Sequence, residues 1–502
     1  MTFVADLHLH SKYSRAVSPN MILPEMARWA RLKGLDIISA SDFTHPLWFR
    51  ELKSQLSEDT QGLYKLKSID YGLRTTAVDS SQKAESQKEV LFLLSTELSS
   101  IYKQGDKLRR IHNLIFAPSL ETVEKITKEF TRRAFNLMAD GRPIFGLSSE
   151  NLVELLLGID ENIMLIPCHV WTPHFGIYGS ASGFDSLEEA FGKYAKNIYA
   201  VETGLSSDPE MNWVMPELNS RSILSFSDAH SGPKMGREAT VFTLRKNAEV
   251  AHKNFRVHNA DKLSLKNKKV DGANAHSENF ESSPHFEISY KDITDAIKRD
   301  KKGKLEIQYT IEFYPEEGKY HFSGHRNCKV IRGPEELRKD GNICPVCKRK
   351  LTEGVLYRVQ ELSKGAVIES EAKISPSGIK WYTDKGKNHP PYVKLVPLNE
   401  IIAESYSATV LSQKVKDAFE NICHEFGSEI EVLLKTPISE ISKHSGEKVA
   451  EGVRKVREGN IEIDPGYDGE YGKVKIWNEE EESQGAEAFS AMNDESQLGL
   501  KF

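Results

Sequence analysis

Histidines and carboxylates recur at the ends of apolar runs in the first half of this 502-residue chain, and their types and spacing suit metal chemistry. Val4-Ala5-Asp6-Leu7 runs into His8-Leu9-His10, Leu35 to Ser41 into Asp42, Val90 to Thr96 into Glu97, and Ile163 to Cys168 into His169. Ile198 to Val201 runs into Glu202, and Ile223 to Ser227 into Asp228-Ala229-His230. His112 breaks the pattern by preceding its run, Leu114 to Ala117. A single such residue is ordinarily a cap or a surface group; the repetition is what points to metal. Strand side chains repeat every second residue, so His8 and His10 share a face, as do Asp228 and His230. Mixed imidazole and carboxylate donors suit Zn, Mn or Fe better than an all-oxygen Mg or Ca cage. Two or more metals bridged by a carboxylate form a phosphoester-cleaving device.

Ligands at strand ends need a scaffold that gathers those ends. A parallel β/α barrel does so, with its chemistry at the C-terminal ends of the strands. Residues 1–315 read as that barrel, with helices over Leu23–Leu32 (opened by Pro24), Leu120–Met138 and Tyr290–Asp300. Residues 54–88 and 246–284 are polar, lack apolar period and read as insertions. Residues 316–360 carry a second metal pattern. His325-x-x-Cys328, then fifteen residues, then Cys344-Pro-Val-Cys347 is a Cys₃His set for one structural Zn, with His321 as an alternative fourth ligand. Residues 361–477 read as an α+β unit, with a helix over Val415–Phe426 and two helices meeting at Gly446. Such a pair either packs plainly or grips a DNA backbone. Residues 478–502 form an acidic tail with too little apolar content to fold alone.

The motifs resemble those of the polymerase-and-histidinol-phosphatase (PHP) superfamily and, within it, the endonuclease Q family of DNA repair nucleases. The segments that carry the resemblance are DLHLHSKYSRAVSPNM, SDFTHP, TELSSIYKQG, IPCHVWTPHFG, VETGLSSDPEMNW and SDAHS. IEFYPEEGKYHFSGHRNC, CPVCKRKLTEGVL and DPGYDGEYG extend it, so that it touches most of residues 1–477. It implies a distorted PHP-type β/α barrel with a trinuclear site holding two to three divalent metals (Zn, Mn or Mg). His8, His10, Glu97 and Asp228 would bind the first metal and form the catalytic core. Glu97 would bridge to a second metal with His112 and His169, and His230 would help hold a third. The chain departs from the common pattern at Arg15-Ala16, where many members have a further histidine, and at Ser41-Asp42-Phe43, where many have Thr-Asp-His. Asp42, His45 and His230 are the candidates left for the third site. The implied activity is nicking of DNA 5′ to a deaminated base (uracil, hypoxanthine or xanthine) or an abasic site, by attack of a metal-activated hydroxide.

Reading a damaged base requires taking it out of the stack, so an aromatic-walled pocket is expected. Trp171, Phe175 and Tyr178 in the loop after His169, and Trp213 after Glu202, are the candidate walls. Lys103, Lys107, Arg109 and Arg110 crowd one loop, and Lys234 and Arg237 follow Asp228-x-His230. These cations read either as DNA-backbone contacts or as solvated surface. The chain ends Gln497-Leu498-Gly499-Leu500-Lys501-Phe502. This is similar to the Gln-Leu-x-Leu-x-Phe peptide that docks on the bacterial sliding clamp, with Gln497, Leu498, Leu500 and Phe502 as anchors.

The net charge of −6 is concentrated in residues 479–502, which hold seven acids and one base. The remaining body is neutral, so charge neither demands nor excludes nucleic acid. Five cysteines, three with metal spacing, fit a reducing cytoplasm rather than a disulfide framework. No apolar run approaches a membrane span, and the chain enters a strand at once, leaving no room for a signal peptide. The expectation is a cytoplasmic, nucleoid-associated monomer whose partners are damaged DNA and the clamp. A small-molecule phosphatase and a non-catalytic scaffold are the competing readings. The zinc pattern, third unit and tail argue against the first, and the retained ligand set argues against the second.

Overall fold

The structure, a computed structural model, describes residues 1–67, 89–246 and 287–478. The stretch 68–88, nearly all of the expected second insertion and the clamp-like peptide fall outside the described residues. Among the described residues, no helix is long and apolar enough to cross a membrane.

The opening strand, Thr2–Asp6, lies inside a ten-stranded mixed sheet. It runs parallel to Ile37–Ser39, with Ala5 opposite Ile37, and antiparallel to Ala239–Leu244, with Thr2 opposite Thr243. Leu91–Leu93 extends the parallel side. Residues 54–67, expected within an insertion, complete the helix Pro46–Gln55 and pair Leu56–Thr60 with Leu63–Leu66 at the sheet edge. On the other side follow Leu305–Glu312 and Tyr392–Lys394, then the hairpin Ser370–Ile374 with Lys380–Asp384. The sheet therefore runs across the boundary expected near residue 361.

A second sheet is built on a long hairpin, Ser95–Gln104 with Lys107–Phe116, flanked by Ile144–Phe145 and Met164–Pro167. Ala200–Glu202 and Ser222–Leu224 form a parallel pair. The strands of residues 1–315 thus fall in three hydrogen-bonded sheets, two of mixed direction and one a parallel pair, where an all-parallel arrangement was expected. All three sheets turn residues into one apolar cluster, among them Phe3, Phe242, Phe116, Ile166, Ala200 and Leu224. Burying these side chains together is what brings the strand ends near one another.

Local chemistry sets the helix limits. The helix Leu23–Lys33 starts with Pro24 and stops at Gly34 (φ 87°), where a Cβ would strike the Ser428 hydroxyl. Lys33 and Glu429 form an ion pair at the same contact, both buried, tying this helix to the C-terminal unit. The helix from Leu120 ends at Arg132 rather than Met138, and Ala134 (φ 59°) turns the chain into the loop that follows. In the C-terminal unit, Ile438–Ser445 and Glu447–Glu458 meet at Gly446 (φ 88°).

Candidate metal centre

His8 and His10 follow the opening strand directly and are fully buried. Each has a carboxylate behind it. Glu202 Oε1 lies 2.8 Å from His8 Nδ1, and Asp42 Oδ1 lies 3.2 Å from His10 Nδ1. Such partners fix the tautomer and present Nε2 to the centre. His10 Nε2 is 3.0 Å from Asp228 Oδ1 and 3.4 Å from Glu97 Oε2. Among the described residues His8 Nε2 has no hydrogen-bond partner; its nearest carboxylate oxygens there are on Asp228 (3.8 Å) and Glu97 (3.9 Å).

Glu97 and His112 face each other from the two strands of the long hairpin, where Ser99 sits opposite His112. Glu97 Oε1 lies 2.5 Å from His112 Nδ1 and 3.2 Å from His169 Nε2. His112 Nδ1 nevertheless makes no properly angled hydrogen bond. His230 Nε2, 3.6 Å from Asp228 Oδ1, is also buried without one. Three donor groups face one another, namely His8, His10 and Glu97; His10, Asp228 and His230; and Glu97, His112 and His169; a fourth, His8, Cys168 and Glu202, lies on the Nδ1 side of His8. His10 and Glu97 are shared between groups. Orphaned buried nitrogens converging on carboxylates are the donor set that divalent metals satisfy, so the residues fit such ions.

Charge follows the same geometry. Burial opposes ionisation of Glu97, but the His112 ring and the Arg142 guanidinium outweigh it and hold the carboxyl well below its usual range. Asp228 is likewise held low against burial by His8, His10 and His230. Four residues at the centre, Ser41 (46°), Asp42 (39°), His169 (31°) and Asp228 (47°), have positive φ. Left-handed backbone costs a non-glycine residue roughly 1–2 kcal/mol, so these turns are held by their surroundings. Gly204, itself at φ 58°, lies so close to His169 that a Cβ there would sit 2.3 Å from the histidine Cβ.

The structure gives two third-site candidates other places. Asp42 Oδ2 accepts from Ser11 N (2.6 Å), Ser11 Oγ (2.7 Å) and Ser14 Oγ (2.9 Å), while Oδ1 faces His10. With both oxygens engaged, Asp42 positions His10 and is not among the converging donors. His45 stacks on Tyr13 at 4.3 Å, outside the donor groups. Glu202, a strand-end carboxylate not assigned a ligand, is the matching support for His8 and also accepts from His169 N at 2.9 Å.

The second metal pattern also converges. His325, Cys328, Cys344 and Cys347 form a single donor group, with Cys347 Sγ 3.2 Å from His325 Nδ1, and His321 is not part of it. Burial would raise the Cys344 thiol, but the Cys347 N–H, the His325 ring and the Val346 N–H bring it down to about 6. Lys329 (φ 51°) and Lys348 (φ 62°) turn the chain directly after Cys328 and Cys347, folding each knuckle back on its ligands. A four-donor set of this kind suits one structural Zn.

A crystal structure of the lesion-specific endonuclease PfuEndoQ from Pyrococcus furiosus superposes with a TM-score of 0.70 and 28% identity, covering 95% of this chain and 96% of that one. A structure of endonuclease Q with a 27-mer duplex carrying an abasic lesion at the active site gives 0.71 and 28%, covering 95% and 98%. The chain is endonuclease Q-like. Two curated proteins without assigned function are also similar. YqxK of Bacillus subtilis (strain 168) is 25% identical over 485 residues, 94% of this chain and 98% of YqxK. MJ0043 of Methanocaldococcus jannaschii is 32% identical over 308 residues, 61% of this chain but 31% of MJ0043, so the match spans about a third of that protein. A family model described as the MJ0043 C-terminal domain matches residues 397–460, the helical part of the C-terminal unit.

In this endonuclease Q-like chain several expected contact residues prove to be packing. Trp171 is fully buried with Nε1 bonded to Asn212 Oδ1 (2.8 Å). Tyr178 is buried with its hydroxyl on Glu217 (2.9 Å), and Trp213 is buried against His389 and Tyr392. Trp171 and Tyr178 are core with their polar atoms on protein partners, and Trp213 is core with its ring packed against two others, which leaves none of the three a face for a base. Phe175 differs: it is half-buried at φ 71°, with its ring 4.4 Å from that of His112. Arg109 is buried, bonded to Gly183 O and Glu189 and stacked on Phe184, so it braces the aromatic loop. Arg237 donates to Ser227 O (3.1 and 3.0 Å), next to Asp228, and Lys234 pairs with Glu400 (2.7 Å). Lys103 and Lys107 are exposed at the hairpin tip, with Arg110 half-exposed below them. A cation that sequence reading passed over, Arg142, lies in the centre itself, with Nη1 3.2 Å from Glu97 Oε2.

Proposed function

We propose that this chain is a metal-dependent DNA repair endonuclease that nicks the phosphodiester 5′ to a deaminated base or an abasic site. The observation that carries the reading is the convergence of His8, His10, Glu97, His112, His169, Asp228 and His230 in one cluster of a chain that is endonuclease Q-like over 95% of its length. Divalent ions in such a cluster would lower the pKa of a water and screen charge on the phosphate.

The chain's own residues prepare that chemistry. Asp42 and Glu202 orient the imidazoles, Glu97 spans two donor groups with its two oxygens, and Asp228 and His230 form the more open side. An extruded nucleotide needs a flat apolar face, and Phe175 beside His112 offers one at the rim. The exposed lysines of the hairpin tip would steer duplex DNA without reading sequence. On this reading residues 1–315 are a PHP-type barrel, residues 316–360 a structural zinc module and residues 361–477 an accessory DNA-binding unit. The acidic tail would carry the clamp peptide Gln497–Phe502 of a cytoplasmic repair monomer.

The test is nicking of end-labelled duplexes carrying uracil, hypoxanthine, xanthine or an abasic site, beside undamaged DNA, with and without chelator. Chelator-sensitive cleavage confined to the lesion strands is expected. Phosphate release from phosphomonoesters with no nicking would replace this reading with the phosphatase. Deleting residues 497–502 should abolish binding to a bacterial sliding clamp and leave oligonucleotide nicking unchanged; clamp binding as tight as that of the full chain would remove that assignment.

A further inference from the structure

Arg142 enters the metal centre from the loop that follows the helix Leu120–Arg132 and holds no metal itself. Its side chain is 21% exposed, comparable to Asp228 at 25%, whereas Glu97 beneath it is fully buried. Among the described residues, Nη1 finds one hydrogen-bond acceptor, Glu97 Oε2, and Nε and Nη2 find none. These two donors are not sealed off, so an incoming anion can take them without breaking a protein contact.

The loop is fixed in place. Gly141 N donates to Tyr13 O (3.0 Å), and a Cβ on Gly141 would lie 2.4 Å from Ser14 Oγ and 2.5 Å from Asp42 Oδ2. Asp140 then joins two loops. Its Oδ1 accepts the backbone N–H groups of both Arg15 and Arg142 (each 3.2 Å), and its Oδ2 lies 3.4 Å from Arg15 Nε. The Arg15 side chain is 77% exposed. One buried carboxylate thus aligns an arginine inside the centre with an arginine at its lip.

We propose that Arg142 and Arg15 form a two-phosphate clamp, Arg142 on the phosphate being cleaved and Arg15 on its neighbour in the same DNA strand. The inference rests on reading the centre as a DNA endonuclease. Guanidinium forks match phosphate oxygens in pairs, and spacing two of them along one mouth suits a polynucleotide better than a lone phosphomonoester. Glu97 faces both Arg142 and the imidazoles; engaged by metal, it leaves Arg142 free to turn its donors on phosphate. Asp228, Asp140 and Asp42 around Arg142 make a cation tolerable beside metals. A plain counter-ion for Glu97 would need neither idle donors nor an aligned partner at the lip.

The experiment uses the full chain and an abasic duplex in which the scissile or adjacent phosphate is replaced, one at a time, by an uncharged methylphosphonate. Arg142→Gln is expected to keep its metal content and melting temperature and to lower kcat by roughly 10²–10³-fold, the usual loss for a donor at developing charge. Arg142→Lys should recover part of this. Arg15→Gln should raise KM more than it lowers kcat and weaken DNA binding about tenfold. In a binding assay, the adjacent methylphosphonate should cost the wild type that same factor and cost Arg15→Gln nothing further. Loss of metal in step with activity in Arg142→Gln would overturn the clamp and make Arg142 an organiser of Glu97. Wild-type kcat in Arg142→Gln, or equal methylphosphonate penalties in wild type and Arg15→Gln, would also overturn it. A wild type that nicks no lesion strand would overturn the endonuclease reading itself.

Discussion

Glu202→Gln isolates the carboxylates that stand behind the histidines. Glu202 is fully buried and spends both oxygens, one on His8 Nδ1 at 2.8 Å and one on His169 N at 2.9 Å. A glutamine amide keeps one acceptor and turns the other position into a donor. Either His8 loses the partner that fixes its tautomer, or an NH₂ group faces the His169 N–H. His169 can least tolerate the second, because its backbone is already at φ 31° against Gly204. Removing a carboxylate behind a metal-binding histidine typically lowers metal affinity 10–100-fold, which is about 1.4–2.8 kcal/mol. After dialysis against chelator, Mn or Zn would be titrated back while bound metal and nicking of an abasic duplex are followed together. Half-saturating metal should rise by that factor, nicking at saturating metal should return to within several-fold, and DNA affinity should not move. A metal titration identical to wild type, in a variant with an unchanged melting temperature, would refute the assignment of Glu202 to the metal centre.

Asp228→Asn should remove cleavage while DNA binding by gel shift persists, since Asp228 faces His8 and His10 but no base-stacking surface; near-normal nicking at saturating metal would exclude it from the mechanism. Trp171→Ala should lower stability by about 3–5 kcal/mol in urea unfolding, as expected for a buried tryptophan that also loses its bond to Asn212, whereas a selective loss of lesion binding with stability intact would restore it to the pocket. Cys344→Ser should release one tightly held Zn and destabilise residues 316–360, read by metal analysis and limited proteolysis. Glu312 lies buried beside Glu238, and burial above all raises its pKa from the ordinary 4.5 to about 8. The folded protein therefore keeps a proton that the unfolded chain sheds above 4.5, so stability should fall as pH rises through that window and level off above about 8. Melting temperatures between pH 5 and 9 should show this decline flattened in Glu312→Gln.

The candidate ligands at the strand ends were legible because they obey a one-dimensional rule: an extended apolar run ends and the next side chain is one that can do chemistry. His8, His10, Glu97, His169 and Asp228 all follow it. Asp42 and Glu202 obey the same rule, yet they stand behind the histidines instead of beside them. The difference lies in contacts to Ser11, Ser14 and His169, which no local pattern encodes. Trp171, Tyr178 and Trp213 were misread for a related reason. An aromatic cluster after a ligand has the same composition whether it faces a base or a core, and only the partners Asn212 and Glu217, 41 and 39 residues away from Trp171 and Tyr178, decide it. Arg142 gave no signal, since it sits in a loop that the helical periodicity of residues 120–138 partly covered over, and it reaches Glu97 from 45 residues away.

The positive-φ residues connect these observations. Ser41, Asp42, His169 and Asp228 each hold a backbone that the strand before them does not favour. What offsets that cost is made by residues that bind no metal: Ser11 and Ser14 on Asp42, Glu202 on the His169 N–H, and Arg237 on the Ser227 carbonyl. The turns that aim the candidate ligands are therefore held by protein contacts and not by those residues alone. Variants of Ser11, Ser14 or Arg237 should accordingly weaken the centre by letting its turns relax, even though every metal-binding atom is still present.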